Sequence, residues 1–340
     1  MLFRTKTLTI FIAVSLYLFS LNCFAGDLFD MLKRMSEADK NQNYQGTFIL
    51  IKSDDLSTMR VTHGLDAEGE WESLEALNGE SRKVVRHNNR VITVFPKRNL
   101  VTIRHTSKSQ SLHQQLPTNT DQLDSFYSIK RLDDDRVANR PTLVVDLLPK
   151  DKYRYGYRYW VDKNTGMLLR CDLVSEDNRI VEQMMFTSLE YLDAAPVWVL
   201  DLEKFDQFEQ KVLDEPEVEI ALEEAPVAHW AINSLPKGFM LTQSTMRYTH
   251  PDGKHHEHSQ HASSPDLQHL VYSDGLASVS VFIEKNQGVD RHLHGISTKG
   301  AVNAYGHALG EYYVTVVGEV PVRTVQTMAQ SIALLPQGIK

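Results

Sequence analysis

Short runs of alternating apolar and polar residues dominate the first two hundred positions of the chain. An amphipathic segment at residues 27–40 predicts a helix, and six strand-like runs follow between residues 46 and 105. After a polar interval with a predicted helix at residues 121–127, four more runs lie between residues 142 and 192. Their short connections favour antiparallel pairing. The pattern therefore predicts a large, mostly antiparallel sheet with few helices.

Some of these strands are apolar on both faces. In residues 46–53 and 90–95, apolar side chains occupy successive positions, so both faces of the sheet need a cover. A sheet curved around helices meets this need, and apolar space left inside would accept an acyl chain. An ordinary filled core explains the same pattern. The acyl-chain hypothesis has five candidate residues: Phe48, Leu50, Val91, Phe95 and Trp160.

An unusual stretch alternates four tyrosines with other residues. Between residues 153 and 160, the intervening positions hold Arg154, Gly156, Arg158 and Trp160. A continuous strand would place the tyrosines on one face, and the two arginines with Trp160 on the other. Cross-strand packing, with the phenol groups hydrogen-bonded at the rim, accounts for such a ladder.

The pattern changes after residue 200. Residues 201–228 hold ten acidic and two basic residues and are interrupted by prolines, which predicts an acidic linker. The 340-residue chain is long enough for two cores. Strand-like runs resume in residues 229–340 and end in a helical pattern at 323–333. We therefore predict an α+β protein, with a first domain at 26–200 and a smaller α+β domain at 229–340.

The first 25 residues have the features of a secretory signal peptide. Arg4 and Lys6 precede an apolar run that is shorter than a membrane span needs, and the segment ends at Ala25. Cleavage there would place the mature chain in the periplasm, with Cys171 as its only cysteine. Because Cys171 lies in an apolar run, a buried hydrophobic role is favoured over that of a nucleophile.

One segment is strongly basic. Residues 81–120 contain eight basic residues and no acidic one, which predicts a positive field. Neighbouring carboxylates or the acidic linker could neutralise it; alternatively, it docks an anionic ligand or an acidic peptide. A net charge of −8, together with export, argues against nucleic acid. The candidates for anion binding are Arg82, Lys83, Arg86, Arg90 and Arg104.

Motifs for catalysis or metal binding are weak or missing from the sequence. Nine of the fourteen histidines lie between His250 and His307. Imidazole suits Zn, Ni or Cu, but neither a helical frame nor a cysteine partner accompanies the cluster. No nucleophile elbow or phosphate-binding loop is found. We predict no enzyme activity, no cofactor and no metal, with four histidines as weak metal candidates: His255, His256, His258 and His261.

Eight short strings resemble the RseB/MucB family, periplasmic regulators of the envelope-stress sigma factor. They span both predicted domains in order, while the histidine-rich segment and the acidic linker depart from the family pattern. The strings are Asn43–Phe48, Arg136–Arg140, Tyr153–Arg158, Asp162–Leu169, Leu235–Phe239, Tyr272–Leu276, Gly300–Gly306 and Val314–Pro321.

The resemblance implies a first domain similar to the lipoprotein-carrier fold, a half-open antiparallel barrel wrapped on helices. It also implies binding to the periplasmic part of an anti-sigma factor of the RseA/MucA type, which would be shielded from proteolysis. Binding of lipopolysaccharide or lipoprotein acyl chains would release the regulator from the anti-sigma factor. The phosphates of lipid A would then bind to the basic segment. The protein would reach the inner membrane only through its partner. The resemblance is also compatible with a homodimer. A lipid carrier and a histidine-rich metal-binding protein are the rival hypotheses.

Overall fold

The computed structural model describes residues 31–105, 123–196, 205–213, 218–219, 230–247, 267–286 and 292–334, apart from Ser36, Asp39 and Glu68. The predicted signal peptide and the candidates His255, His256, His258 and His261 lie outside the described residues. Within the described ranges, no helix is long and apolar enough to cross a membrane.

The first part of the chain forms one sheet of thirteen strands, in the order β13-β6-β5-β4-β3-β2-β1-β12-β11-β10-β9-β7, with β8 paired to β9. Every pairing is antiparallel except that of β13 with β6. The strands are β1 Tyr44–Lys52, β2 Asp55–Asp66, β3 Gly69–Ala76, β4 Lys83–His87, β5 Arg90–Phe95, β6 Leu100–His105, β7 Tyr127–Arg131, β8 Asp135–Val137, β9 Arg140–Pro149, β10 Gly156–Asp162, β11 Leu168–Val174, β12 Ile180–Tyr191 and β13 Glu209–Val212.

A second sheet of seven strands follows, in the order β14-β16-β17-β18-β21-β20-β19, beside a pair formed by β15 and β22. Its core includes Val281, Val314 and Val316, and the helix α3 packs on it through Val325 and Met328. The elements are β14 Val218–Glu219, β15 Trp230–Ile232, β16 Met240–Arg247, β17 Leu267–Ser273, β18 Ser278–Lys285, β19 Gly295–Lys299, β20 Val302–Leu309, β21 Tyr312–Gly318, α3 Val322–Gln330 and β22 Ile332–Leu334.

Helices contribute little to the described structure. Besides α3, they are α1 at residues 31–41, α2 Leu123–Phe126 and the short 3-10 helix Pro96–Arg98. The predicted antiparallel sheet is confirmed, but the α+β class is wrong, because the fold is β-rich. The physical reason is that most strands are joined by tight turns, which leave no room for a helix between them.

The face of the first sheet that α1 covers is called the inner face here. Leu50, Met184, Cys171 and Tyr159 lie side by side on four neighbouring strands, and paired residues point to the same side of a sheet. Met31, Leu32 and Met35 of α1 belong to the same buried cluster as Tyr159 and Cys171. Cys171 is buried, as predicted, and its burial raises the pKa of the thiol.

The tyrosine stretch is a strand only in part. Tyr157 and Tyr159 stack on the inner face with ring centroids 5.8 Å apart. However, β10 begins at Gly156, because a turn in which Asp151 Oδ1 accepts the N–H of Tyr153 at 2.9 Å precedes it. The prediction that Arg154 lies on the outer face of a strand is therefore wrong. Arg154 is buried instead.

The acidic linker contributes a strand to each sheet. Its residues Glu209–Val212 form β13 at the edge of the first sheet, and Val218–Glu219 form β14 at the edge of the second. Phe205 and Phe208 pack against a small cluster that includes Val94 and Val101 on the outer face. The described residues of the linker thus include an edge strand of each sheet.

Candidate binding surfaces and the domain junction

Four of the five acyl-chain candidates share the inner face. Phe48 and Leu50 are neighbours there on β1, and the Phe48 ring lies 5.7 Å from that of Phe186. Following the cross-strand pairs from β1 to β5 places Val91 and Phe95 on the same face. Phe48 is buried, whereas the other three are half-buried. The inner face therefore carries all four side chains, while Glu72 and Arg86 of the same face lie between those of β1 and Val91 of β5.

Trp160, the fifth candidate, lies on the opposite face. Its indole Nε1 donates a hydrogen bond to Asp135 Oδ2 at 2.9 Å, and the Arg170 guanidinium stacks 4.0 Å from its ring centroid. Arg170 also forms an ion pair with Asp172 at 2.6 Å. Trp160 is thus buried on the outer face, in a hydrophobic cluster that also includes Val144 and Phe48.

The basic segment does not form one charged face. By strand register, Lys83 and Arg90 project from the outer face and Arg86 and Arg104 from the inner face. Arg82, Arg90 and Arg104 are exposed and Lys83 is half-buried. The expected field is therefore divided between the two sides of the sheet.

Arg86 differs from the rest of the basic segment because it is buried, with only 6% of its side chain exposed. Its Nη2 lies 2.7 Å from Glu70 Oε1 and 3.1 Å from Glu72 Oε2. A buried charge is stable only when it is paired, and two carboxylates neutralise this one. Arg86 therefore adds nothing to an exposed anion-binding surface, which corrects its place among the candidates.

A pocket of 520 Å³ lies where α1 meets the turn after β10. Its lining combines apolar Met31 and Leu143 with charged Arg34, Arg131 and Lys163. Asp134 pairs with both Arg131 and Lys163, and the hydrogen bond from Lys163 is the main reason why the pKa of Asp134 is lowered. The pocket is therefore amphiphilic, since apolar and charged side chains both line it.

The two sheets meet at a buried ion pair. Arg154 Nη1 donates to Asp274 Oδ2 at 2.7 Å, and both side chains are 0% exposed. Arg154 Nη2 also donates to the carbonyl oxygen of Lys237 at 2.6 Å. On the other side of the pair, Asp274 Oδ1 accepts the backbone N–H groups of Leu276 and Ala277 at 3.0 and 2.8 Å. Both charges are thus well satisfied by hydrogen bonds inside the protein.

Aromatic rings from both sides enclose the guanidinium. Its Cζ lies 4.9 Å from the ring centroid of Phe126, 5.6 Å from that of Tyr127 and 5.2 Å from that of Phe239. Tyr127 also donates its hydroxyl to Asp274 Oδ2 at 3.2 Å. Burial raises the pKa of Tyr127 well above its usual value, so the phenol stays protonated and able to donate.

Further polar contacts flank the ion pair. Asn303 Nδ2 donates to the Tyr155 hydroxyl at 3.1 Å, and Thr324 Oγ1 donates to the carbonyl oxygen of Tyr153 at 2.6 Å. Lys52 pairs with Glu182 of its own sheet at 2.9 Å and with Glu319 of the other at 3.4 Å. No pattern in the sequence predicts this junction, although five of the eight strings behind the family resemblance contribute residues to it.

Two family models match the chain in order. The MucB/RseB N-terminal domain matches residues 27–211, and the MucB/RseB C-terminal domain matches residues 224–333. This chain belongs to the MucB/RseB family. The resemblance seen in its sequence is confirmed.

Named relatives and solved structures agree with this assignment. The sigma factor AlgU regulatory protein MucB of Pseudomonas aeruginosa is 30% identical over 320 residues, which cover 91% of each chain. The sigma-E factor regulatory protein RseB of Escherichia coli K12 is 24% identical over 308 residues, 89% of each chain. The structure of the P. aeruginosa MucA/MucB complex matches with a TM-score of 0.64 at 30% identity, over 91% of this chain and 99% of that one.

Proposed function

We propose that this chain is a periplasmic negative regulator that binds the periplasmic part of a MucA-type anti-sigma factor. It protects that factor from proteolysis and keeps the sigma factor inactive until a lipid releases it. The observation that carries the proposal is the match of both domains, in order, to the MucB/RseB family, together with the similarity to MucB in its complex with MucA. The role is regulatory binding, without a catalytic step.

The proposal gives the two domains different tasks. Residues 26–200 form a half-open barrel of the lipoprotein-carrier type, and its inner face receives acyl chains at Phe48, Leu50, Val91 and Phe95. Support comes from the shared face of these four side chains and from the helix that covers it. Residues 229–340 bind the anti-sigma factor, and the acidic linker 201–228 connects the two. Residues 1–25 direct export, and the mature chain reaches the inner membrane only through its partner.

The decisive experiment measures the affinity of the mature chain for the periplasmic segment of the anti-sigma factor from its own organism. We expect tight binding that added lipopolysaccharide weakens, because a ligand can release a partner only by favouring the unbound form. Protection of that segment from its protease should decrease in parallel. The absence of binding with or without lipopolysaccharide contradicts the proposal.

A lipid carrier is the second candidate, and the four apolar candidate side chains that share the inner face favour it. A carrier moves lipid between membranes without any need for an anti-sigma factor. Transfer of a labelled lipid from donor to acceptor vesicles by the intact mature chain, with anti-sigma factor affinity absent, supports the carrier. Anti-sigma factor binding without vesicle transfer excludes it.

The exposed basic residues are assigned to lipid A phosphates. We expect the triple change Arg82→Glu, Arg90→Glu and Arg104→Glu to weaken lipid A binding, because it reverses charges that are open to solvent. Charge reversal of the exposed Lys130, Lys285 and Lys299 is the matched control. Titration of both variants with lipid A in low salt separates the outcomes, and equal affinities remove the assignment.

A further inference from the structure

The second domain supplies apolar side chains to the core of the first. Leu276 and Ala301 are 8% and 0% exposed and belong to the same buried cluster as Tyr127, Tyr157 and Leu147. We propose that Arg154 and Asp274 form a latch that docks the second domain into this end of the inner face, and that an acyl chain occupying this end must open the latch.

The latch has the geometry of a fixed contact. Asp151 of the first domain also pairs with Arg154, at 3.1 Å, but only Asp274 is fully buried. Separating Asp274 from a buried arginine is costly, so the two domains cannot slide past each other while Arg154 stays buried. The three aromatic rings around the guanidinium come from both sides of the junction. Desolvation strengthens such cation–π contacts. The docked state is therefore one defined orientation.

Two turns of the second domain are shaped for close approach. Gly238 has a φ of +89°, and a Cβ there would lie 2.5 Å from the Phe126 ring. Gly300 has a φ of +63°, and a Cβ there would lie 3.2 Å from Glu182 Oε1. Positive φ and missing side chains both favour glycine at such positions. The turns at 238, 274 and 300 together bring one side of the second domain onto the first.

Tyr127 connects the latch to the inner face. Its hydroxyl contacts Asp274, and its ring lies 6.4 Å from that of Tyr157. Tyr127, Tyr157 and Leu276 belong to one buried cluster. Because protein interiors are close-packed, an acyl chain can enter this cluster only if Leu276 moves out of it. Acyl binding at this end and docking of the second domain are then mutually exclusive, so each weakens the other by the same factor.

The inference rests on the proposed function for the class of ligand, whereas the latch can be measured without any ligand. Spin labels at Ser188→Cys and Glu311→Cys, both exposed positions in different domains, report the distance between the domains in the full mature chain. Cys171 is buried and leaves the added thiols as the reactive ones. Arg154→Met opens the latch, and Lys152→Met is the matched control, because Lys152 pairs with Glu176 on the surface.

We expect a single narrow distance distribution for the wild type and for Lys152→Met, and a broader one for Arg154→Met. Lipid A should broaden the wild-type distribution, deacylated lipid A should not, and Arg154→Met should bind lipid A about tenfold more tightly. Asp274→Asn, which keeps the side-chain size, replaces Arg154→Met if that variant fails to fold. A wild-type distribution that stays narrow with lipid A bound overturns the inference, whatever the variants do. Anti-sigma factor affinity without lipid tests the proposed function separately.

Discussion

The basic segment and the domain junction use positive charge in opposite ways. Residues 81–120 contain eight basic side chains, yet those described are mostly exposed, divided between two faces or paired locally. The junction depends on one arginine, Arg154, whose side chain is fully buried. The number of charges is therefore a poor guide to their structural importance, which depends on burial.

The physical basis of this difference is solvation. Water stabilises an exposed charge, so that a surface ion pair contributes about 0–1 kcal/mol. A buried charge has lost that water and depends on its protein partners. The same chain thus holds charges that are available to ligands and charges that fix its own shape. Arg86 and Arg154 belong to the second kind.

The largest expected effect comes from removing the acid of the buried pair. Asp274→Ala removes the fully buried partner of Arg154 and leaves only the partly exposed Asp151, 3.1 Å away. It should lower the free energy of unfolding by up to about 3–5 kcal/mol. Glu176→Ala removes the partner of Lys152, where both side chains are more than half exposed, and should cost about 1 kcal/mol or less. Urea denaturation of both variants measures the difference. Equal losses would show that the buried pair is no stronger than a surface one.

The next effect tests the comparison within the basic segment itself. Arg86→Met breaks the buried pairs with Glu70 and Glu72 and should destabilise the fold by about 1.5–3 kcal/mol, the range for hydrogen bonds to charged groups. Arg104→Met changes an exposed residue and should stay within about 0.5 kcal/mol of the wild type. Thermal or urea unfolding distinguishes the two. If Arg86→Met has the same free energy of unfolding as the wild type, Arg86 behaves as a solvent-exposed charge.

The sheet could be predicted from the sequence because alternation and turn residues are local signals. Every predicted run between 46 and 105 overlaps a strand, and the predicted helix at 121–127 appears as Leu123–Phe126. The α+β class failed, because strands far outnumber the few short helices in the part of the chain that the structure describes. Local pattern was thus sufficient for the strands but not for the balance between helices and strands.

The junction could not be predicted because its parts are far apart in the chain. Arg154 and Asp274 are 120 residues apart, and no periodicity relates them. The alternation at 153–160 also misled, since the turn anchored by Asp151 breaks the strand before Gly156. Strand parity did place Trp160 correctly, on the face opposite Tyr157 and Tyr159. The strings that resemble the family marked most of the junction residues without showing that they meet.

The smallest expected effect concerns a neutral group of the second domain. His307 lies on β20 with its ring 5.8 Å from that of Tyr305, and Nδ1 has no hydrogen-bond partner among the described residues. Burial lowers the pKa of His307 below 6.5, so the unfolded chain takes up the proton first as the pH falls. Stability should therefore decrease below pH 6.5, and His307→Gln should make that decrease shallower. Urea midpoints at pH 7 and pH 5 test this, with the exposed His105→Gln as control. If both variants keep the wild-type slope, His307 is solvated in the folded state and belongs with the exposed charges.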